Sequence, residues 1–268
     1  MSAKRRVAVL VFPGTNSEDE TLAALRTAGA DAEIVHYSRG KAALGDFAAY
    51  VLPGGFAYED RVRAGAVAAH DELTDAVIAG AQAGKFVLGI CNGAQVLLEA
   101  GLVPGTGPLR RPTAAFAPNA GGKFLSVHVH VRLAVAPDRV PVLGGIAADA
   151  VIPAWASHGE GRLAASEEEL DVLERDGHAA FVYCNARGES VRAPNGSARG
   201  VAGLTNRAGN VLALMPHPER DGWTFMHRDG DADKAAARGN AQAMLAPSGG
   251  AIFFQAFAAA LSAAVTAR

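Results

Sequence analysis

Phe86-Val87-Leu88-Gly89-Ile90-Cys91-Asn92-Gly93-Ala94-Gln95 is the stretch on which the fold reading turns. Its first half is a short apolar run that reads as a buried strand, and residues 94–100 read as helix. A strand that enters a helix through a small-x-Cys-x-Gly turn is a nucleophile elbow, with glycines because the chain bends too tightly there for ordinary side chains. The turn sets the Cys91 sulfur at a helix N-terminus, where orphan N–H groups and the helix dipole favour negative charge. A lone cysteine is more often a small buried hydrophobe, so Cys91 needs a partner before it reads as chemistry.

A possible partner stands far down the chain, in Met215-Pro216-His217-Pro218-Glu219-Arg220. Pro216 and Pro218 exclude helix here, and Pro218 pushes His217 toward an extended conformation. In an extended chain residues i and i+2 project to one side, which brings Glu219 to the His217 ring. The apolar run 211–215 reads as a strand that presents the pair at a sheet edge. A nucleophile, a base and a carboxylate that orients the base make a triad.

Working outward, residues 7–12, 32–37, 49–53 and 86–90 read as strands, with helices over 17–28 and 64–83 that stop at Gly29 and Gly84. Alternating short strands and helices predict an α/β fold: a mainly parallel central sheet covered by helices. The second half is richer in strands, over 124–133, 179–184, 200–205 and 211–215, with a helix at 167–175 and a last one at 252–265. Residues 228–249 are polar or alanine-rich and are expected to form a long loop or a partly ordered excursion. No internal repeat occurs. Ligands of such sheets gather beyond the carboxyl ends of the strands, where Cys91 and Pro53-Gly54-Gly55 both lie.

With half of 268 residues apolar, the chain can bury a substantial core, and no linker-like stretch divides it, so residues 1–268 are expected to be one domain. The 25 basic and 27 acidic residues leave a net charge of −2, which gives no footprint for nucleic acid or a membrane surface. Two cysteines, Cys91 and Cys184, are no disulfide framework. Lys4-Arg5-Arg6 and the apolar run after it imitate a signal peptide, but the run is short and ends at Pro13-Gly14. No apolar run approaches membrane-spanning length, and a cytoplasmic protein is expected.

The residues resemble a known group. The Cys91 elbow with Gln95, the upstream Leu52-Pro53-Gly54-Gly55-Phe56, and His217-Pro218-Glu219 resemble the class I (triad) glutamine amidotransferases. More narrowly, Phe12-Pro13-Gly14-Thr15-Asn16, Glu99-Ala100-Gly101-Leu102, Ser157-His158-Gly159-Glu160-Gly161 and Pro194-Asn195-Gly196-Ser197 are similar to blocks of the glutaminase subunits of phosphoribosylformylglycinamidine synthase, in the same order. The resemblance implies hydrolysis of L-glutamine, with ammonia passed to a large synthetase subunit, and a small bridging subunit in the same complex. It implies no cofactor in this chain, with ATP and Mg in the synthetase subunit. It further implies Cys91 as nucleophile, His217 as general base and acid, and Glu219 as the orienting carboxylate. The backbone of Gly54 and Gly55 and the N–H of Asn92 would form the oxyanion hole, and Gln95 would lie beside the substrate. The chain departs from the pattern at Ala57, Glu59 and Ala94. Nothing in that pattern matches residues 229–249. A cysteine peptidase, another family's glutaminase and a catalytically silent scaffold are the competing readings.

Other motifs carry less. His158 is a rival base with Glu160 nearby, read instead as a pocket wall or interface residue. His128 and His130 share a strand face, but no third or fourth ligand is evident, so no metal is expected. Asp229-x-Asp231-x-Asp233 opens like a calcium loop, yet Lys234 replaces the required glycine and Asn240 the closing glutamate. Asn195-Gly196-Ser197, formally a glycosylation acceptor, reads as a turn. No P-loop occurs, in keeping with ATP held elsewhere.

Overall fold

A computed structural model describes residues 6–229 and 231–264. The apolar runs of the first half become β1 (Arg6–Val11), β2 (Asp31–His36), β3 (Ala49–Leu52) and β4 (Phe86–Ile90), joined from the far end of the chain by β11 (Val211–Leu214). These lie side by side in the order β2-β1-β3-β4-β11, all parallel. Val7 to Val11 are all buried. Successive strand residues point to opposite faces, so unbroken burial means that both faces of the sheet are covered.

Beyond β11 the sheet continues antiparallel through β10 (Val201–Thr205), β9 (Ala179–Cys184), β6 (Leu125–Leu133) and β7 (Val151–His158), nine strands in total. The strand-rich second half therefore extends the same sheet. A separate antiparallel pair is formed by β5 (Ala114–Pro118) and β8 (Glu160–Ala165). The sequence reading assigns no strand to β5, β7 or β8. β7 contains Pro153, a signal against a central strand, and tolerates it as the outermost strand of the sheet.

The helices are α1 (Glu18–Thr27), α2 (Glu72–Gln82), α3 (Asn92–Glu99), α4 (Glu167–Arg175), α5 (Asp231–Ala236), α6 (Ala241–Met244) and α7 (Ala251–Ala263). α1 packs on β1, β2 and α7, while α2 and α3 pack on β4. The helix expected from residue 64 starts at Glu72 instead, because Asp71 turns extended and its carboxylate accepts the Leu73 N–H at 2.7 Å. A capping aspartate outweighs an alanine-rich run that would otherwise continue the helix. The Glu167–Arg175 helix falls as predicted, capped by Ser166 with three glutamates in its first turn. The final helix ends at Ala263, and position 265 of the expected span lies outside the described residues, as do Lys4 and Arg5.

Residues 228–249 are a correction to the expected long loop. The segment folds into α5 and α6, and its far end is tied back to the stretch before it by Thr224 N–H to Ala246 O (3.0 Å) and Phe225 N–H to Met244 O (3.1 Å). Asn240 caps α6 by accepting the Ala243 N–H at 3.1 Å. Asp231 and Asp233 of the calcium-like run lie in the first turn of α5, where acids suit the helix dipole, and Asp229 precedes it.

Candidate active site

The central strands β3, β4 and β11 end side by side, and the loops that follow them carry the chemistry. Cys91 follows β4 with φ 51° and ψ −107°, a left-handed conformation that ordinary side chains avoid. Its N–H donates to Leu214 O of β11 at 2.8 Å and its carbonyl accepts the Gln95 N–H at 3.1 Å, so the strained residue is held from both sides. Gly93 N–H donates to Pro53 O at 3.1 Å, binding the elbow to the end of β3. A Cβ on Gly93 would stand 1.9 Å from Leu52 O. The backbones of α3 and β3 touch here, which explains the glycine in the motif. Gly93→Ala is expected to destabilise the protein by about 3 kcal/mol, the upper range for overpacking, since backbone must move. A urea denaturation midpoint equal to that of the unmodified protein would contradict this.

His217 is held by backbone pairing with β7: its N–H donates to Trp155 O at 2.8 Å and its carbonyl accepts the Trp155 N–H at 3.1 Å. The chain is extended at His217 but turns into a short 3-10 helix at Pro218–Asp221. That corrects the expectation of an extended His217-Pro218-Glu219 segment, since proline at the first helical position costs no hydrogen bond. The contact forms nonetheless: His217 Nδ1 lies 2.5 Å from Glu219 Oε1, and both residues are buried. The pair sits at the carboxyl ends of the central strands rather than at a lateral edge of the sheet, because β11 is paired on both sides.

The His217 ring and the Cys91 sulfur both face the same cavity, and the Cys91 thiol points to Ser157 O at 3.7 Å. Burial pulls the His217 imidazole down, but the Glu219 carboxylate and the neighbouring Cys91 sulfur outweigh it and hold the ring at about 9. A Cβ on Gly54 would stand 2.5 Å from His217 Cε1, so only glycine leaves the ring its place. The Gly54 carbonyl is turned away, accepting the N–H groups of Asn16 (3.3 Å) and Ser17 (3.2 Å). The N–H groups of Gly55 and Asn92 donate to no acceptor among the described residues. No side chain caps α3. These two donors, next to the sulfur, are what an oxyanion requires.

Cys91, Gly55, Gln95 and His217 line a cavity of about 400 Å³. With the geometry in view, the relatives decide the family. A family model of the CobB/CobQ-like glutamine amidotransferase domain matches residues 4–246. The chain is 41% identical over 218 residues to the phosphoribosylformylglycinamidine synthase subunit PurQ of Thermomicrobium roseum, covering 80% of this chain and 87% of that one. Against the PurQ subunit of Methanothrix thermoacetophila it is 37% identical over 225 residues, covering 80% and 86%. A chain in the solved structure of PurLQS from Thermotoga maritima superposes with a TM-score of 0.65 at 31% identity, covering 81% of this chain and 89% of that one.

The chain belongs to the PurQ family of glutamine amidotransferases. In this PurQ-family chain the Gln95 amide is already engaged: Oε1 accepts from Asn92 Nδ2 at 2.9 Å and Nε2 donates to Glu160 O at 2.6 Å. Asn92 also accepts the Ala57 N–H at 2.9 Å and donates to Asp60 at 2.9 Å. Asn92 and Gln95 thus fix the cavity wall as well as facing the elbow. Glu59, one of the departures from the family pattern, has φ 59°, between Tyr58 at 55° and Asp60 at 52°.

His158 lines the cavity, one of the two places expected of it. It is buried, with Nδ1 3.1 Å from Asn119 Oδ1, and burial together with the nearby His217 charge pushes it down to about 4. Asp60, Glu160 and Arg220 also line the cavity, and burial raises the Asp60 carboxyl to about 6, helped by Glu160 and opposed by Asn92. Sequence reasoning gave Asp60 and Ser157 no role at the site, although Ser157 opens one of the blocks that carry the resemblance; the end of β7 brings Ser157 to the cavity and the turn after β3 brings Asp60. Asn195 is a buried turn residue that accepts the Ser197 N–H at 3.0 Å, as the turn reading expected.

Proposed function

We propose that Cys91, His217 and Glu219 are the triad with which this chain, as the glutaminase subunit of phosphoribosylformylglycinamidine synthase, hydrolyses L-glutamine in purine biosynthesis. The observation that carries the reading is the buried His217 ring, held by Glu219 on one side and sharing with the Cys91 sulfur the wall of the 400 Å³ cavity.

The chemistry follows from the placement. The Cys91 thiolate attacks the side-chain amide carbon of glutamine, and the carbonyl electrons move onto oxygen. The N–H groups of Gly55 and Asn92 stabilise that oxyanion, Gly54 supplying the space that lets the His217 ring approach. One such donor is worth about 2.7–4 kcal/mol of barrier. The His217 imidazolium gives its proton to the leaving nitrogen, the C–N bond breaks, and ammonia departs from a thioester. Water then attacks the thioester, losing its proton to His217, and glutamate leaves as the C–S bond breaks. Glu219 holds Nδ1 throughout and balances the charge of the ring. Asp60, Glu160 and Arg220 present both signs of charge at the cavity, which suits a zwitterionic amino acid. Gln95 packs the wall beside it.

The ammonia passes to the large synthetase subunit, with a small bridging subunit completing the assembly. ATP and Mg belong to the synthetase, and the reaction takes place in the cytoplasm. No helix among the described residues is long and apolar enough to cross a membrane.

The reading is tested by covalent trapping in the assembled complex. A chloroketone analogue of glutamine is expected to modify Cys91 in a one-to-one ratio, seen by peptide mass spectrometry, with Cys184 unmodified and free glutamine protecting. Cys184 is buried, and burial pushes its thiol up, which leaves it unreactive. Equal labelling of both cysteines, or none, would contradict the triad.

A further inference from the structure

β6 carries His128 and His130 on one face, where the sequence shows a pair without further ligands. The segment after Gly222 folds back over that face and supplies what is missing. His130 Nε2 lies 2.8 Å from Asp229 Oδ2, and His128 Nδ1 lies 4.0 Å from the same oxygen. All three ligand atoms fall within 4.8 Å of one another. The far nitrogen of His128, Nε2, is 2.7 Å from Oδ2 of Asp221, a carboxylate with no solvent exposure. Asp221 is itself fixed by the His227 ring and by the Arg228 N–H at 3.5 Å. A carboxylate on the far nitrogen is how metal-ligating imidazoles are oriented, because it sets the tautomer and aims the other lone pair.

We propose that His128 Nδ1, His130 Nε2 and Asp229 Oδ2 form a binding site for one divalent transition metal ion of the zinc class, with Asp221 orienting His128. Ligand atoms 2.0–2.1 Å from a tetrahedral ion stand about 3.3 Å apart. The separations of 2.8 and 4.0 Å to Asp229 bracket that value, and the imidazole nitrogens lie within 4.8 Å of each other, so side-chain rotation alone can seat the ion. Two imidazoles and one carboxylate suit zinc, whereas magnesium and calcium take oxygen ligands. The Asp229 side chain is 45% exposed, so the fourth position faces water.

The place of the site gives the ion something to brace. Asp221 ends the 3-10 turn that carries Glu219, and His128 pairs in register with Trp155, whose backbone in turn holds His217. A bound ion would fasten the segment after Gly222 to the strand behind the catalytic base.

Chelator-treated full-length protein carrying Cys91→Ser, which removes the sulfur as a competing zinc ligand, is titrated with zinc by calorimetry and thermal melting. The expected result is one zinc per chain and a Tm rise of about 5 °C at a hundredfold excess over Kd. Magnesium at the same concentration is expected to leave the Tm unchanged. His130→Ala combined with Asp229→Ala should weaken binding at least tenfold and cut the Tm shift to about half or less at the same zinc concentration. Far-UV circular dichroism of the metal-free variants separates loss of ligands from loss of fold, and the closer replacements His130→Gln and Asp229→Asn serve if the alanine pair misfolds. No one-to-one binding by the parent, or binding as tight in the folded ligand variants, would overturn the proposal. Neither outcome touches the glutaminase reading, which rests on other residues.

Discussion

Replacing Cys91 by alanine is expected to lower glutamine-dependent synthesis in the assembled complex by about 10⁴-fold or more, the scale on which loss of a triad member acts. Ammonia-dependent synthesis should persist, because the synthetase chemistry needs only the product of this site. Alanine fits the elbow sterically: the residue is buried, and the side chain points to Ser157 O and shares the cavity wall with His217. The strained φ of 51° is set by the Leu214, Gln95 and Pro53 hydrogen bonds, not by the sulfur. A selective loss therefore reports the nucleophile. Retained glutamine use, or equal loss with both nitrogen sources, would contradict the mechanism.

The second large effect is expected from Glu219→Gln. A carboxylate accepts the Nδ1 proton and favours the imidazolium, whereas an amide can turn its NH₂ toward the ring and select the wrong tautomer. Loss of the orienting acid is expected to cost about 10⁴-fold in kcat. The pH profile supplies the sign. The His217 pKa is raised in the fold from 6.5 to about 9, so the charged ring is favoured by the native structure. Its contribution to stability is fully present below pH 6.5 and is lost as pH rises through about 9. Activity that needs the imidazolium as proton donor should fall on the alkaline side with a midpoint near 9, and in Glu219→Gln the residual activity should fall at lower pH. An unmoved alkaline limb, measured as kcat/KM against pH, would show that Glu219 does not hold the charge.

Part of this site is legible in the chain because its geometry is local. The Cys91 elbow needs a strand, a tight turn and a helix in immediate succession, and the apolar run, the glycines and the helix formers of 86–100 state each one. The His217–Glu219 contact is also local, spanning two residues, and it survives the replacement of the expected extended segment by a 3-10 turn. The strands that escaped notice, β5, β7 and β8, are those whose stability comes from partners far away: β7 is held by β6 and contains a proline that only an outermost strand tolerates. The segment 228–249 escaped for a related reason. Alanine-rich and polar residues form α5 and α6 because the far end of the segment is tied back to the stretch before it, not because the local pattern insists on it.

By itself, then, the order of residues determined the alternation of strands and helices, the strained turn at Cys91 and the proximity of Glu219 to His217, all of which depend on interactions within a few residues. Only the tertiary structure decided that β11 lies beside β4, so that His217 from late in the chain and Cys91 from its first half face one cavity. It likewise decided that Asp229 crosses over His128 and His130 and that Asp60 and Ser157 face the cavity. The reason is that burial of apolar surface rewards whichever arrangement covers both faces of the sheet. That reward depends on all strands at once and leaves no periodic mark on any one of them.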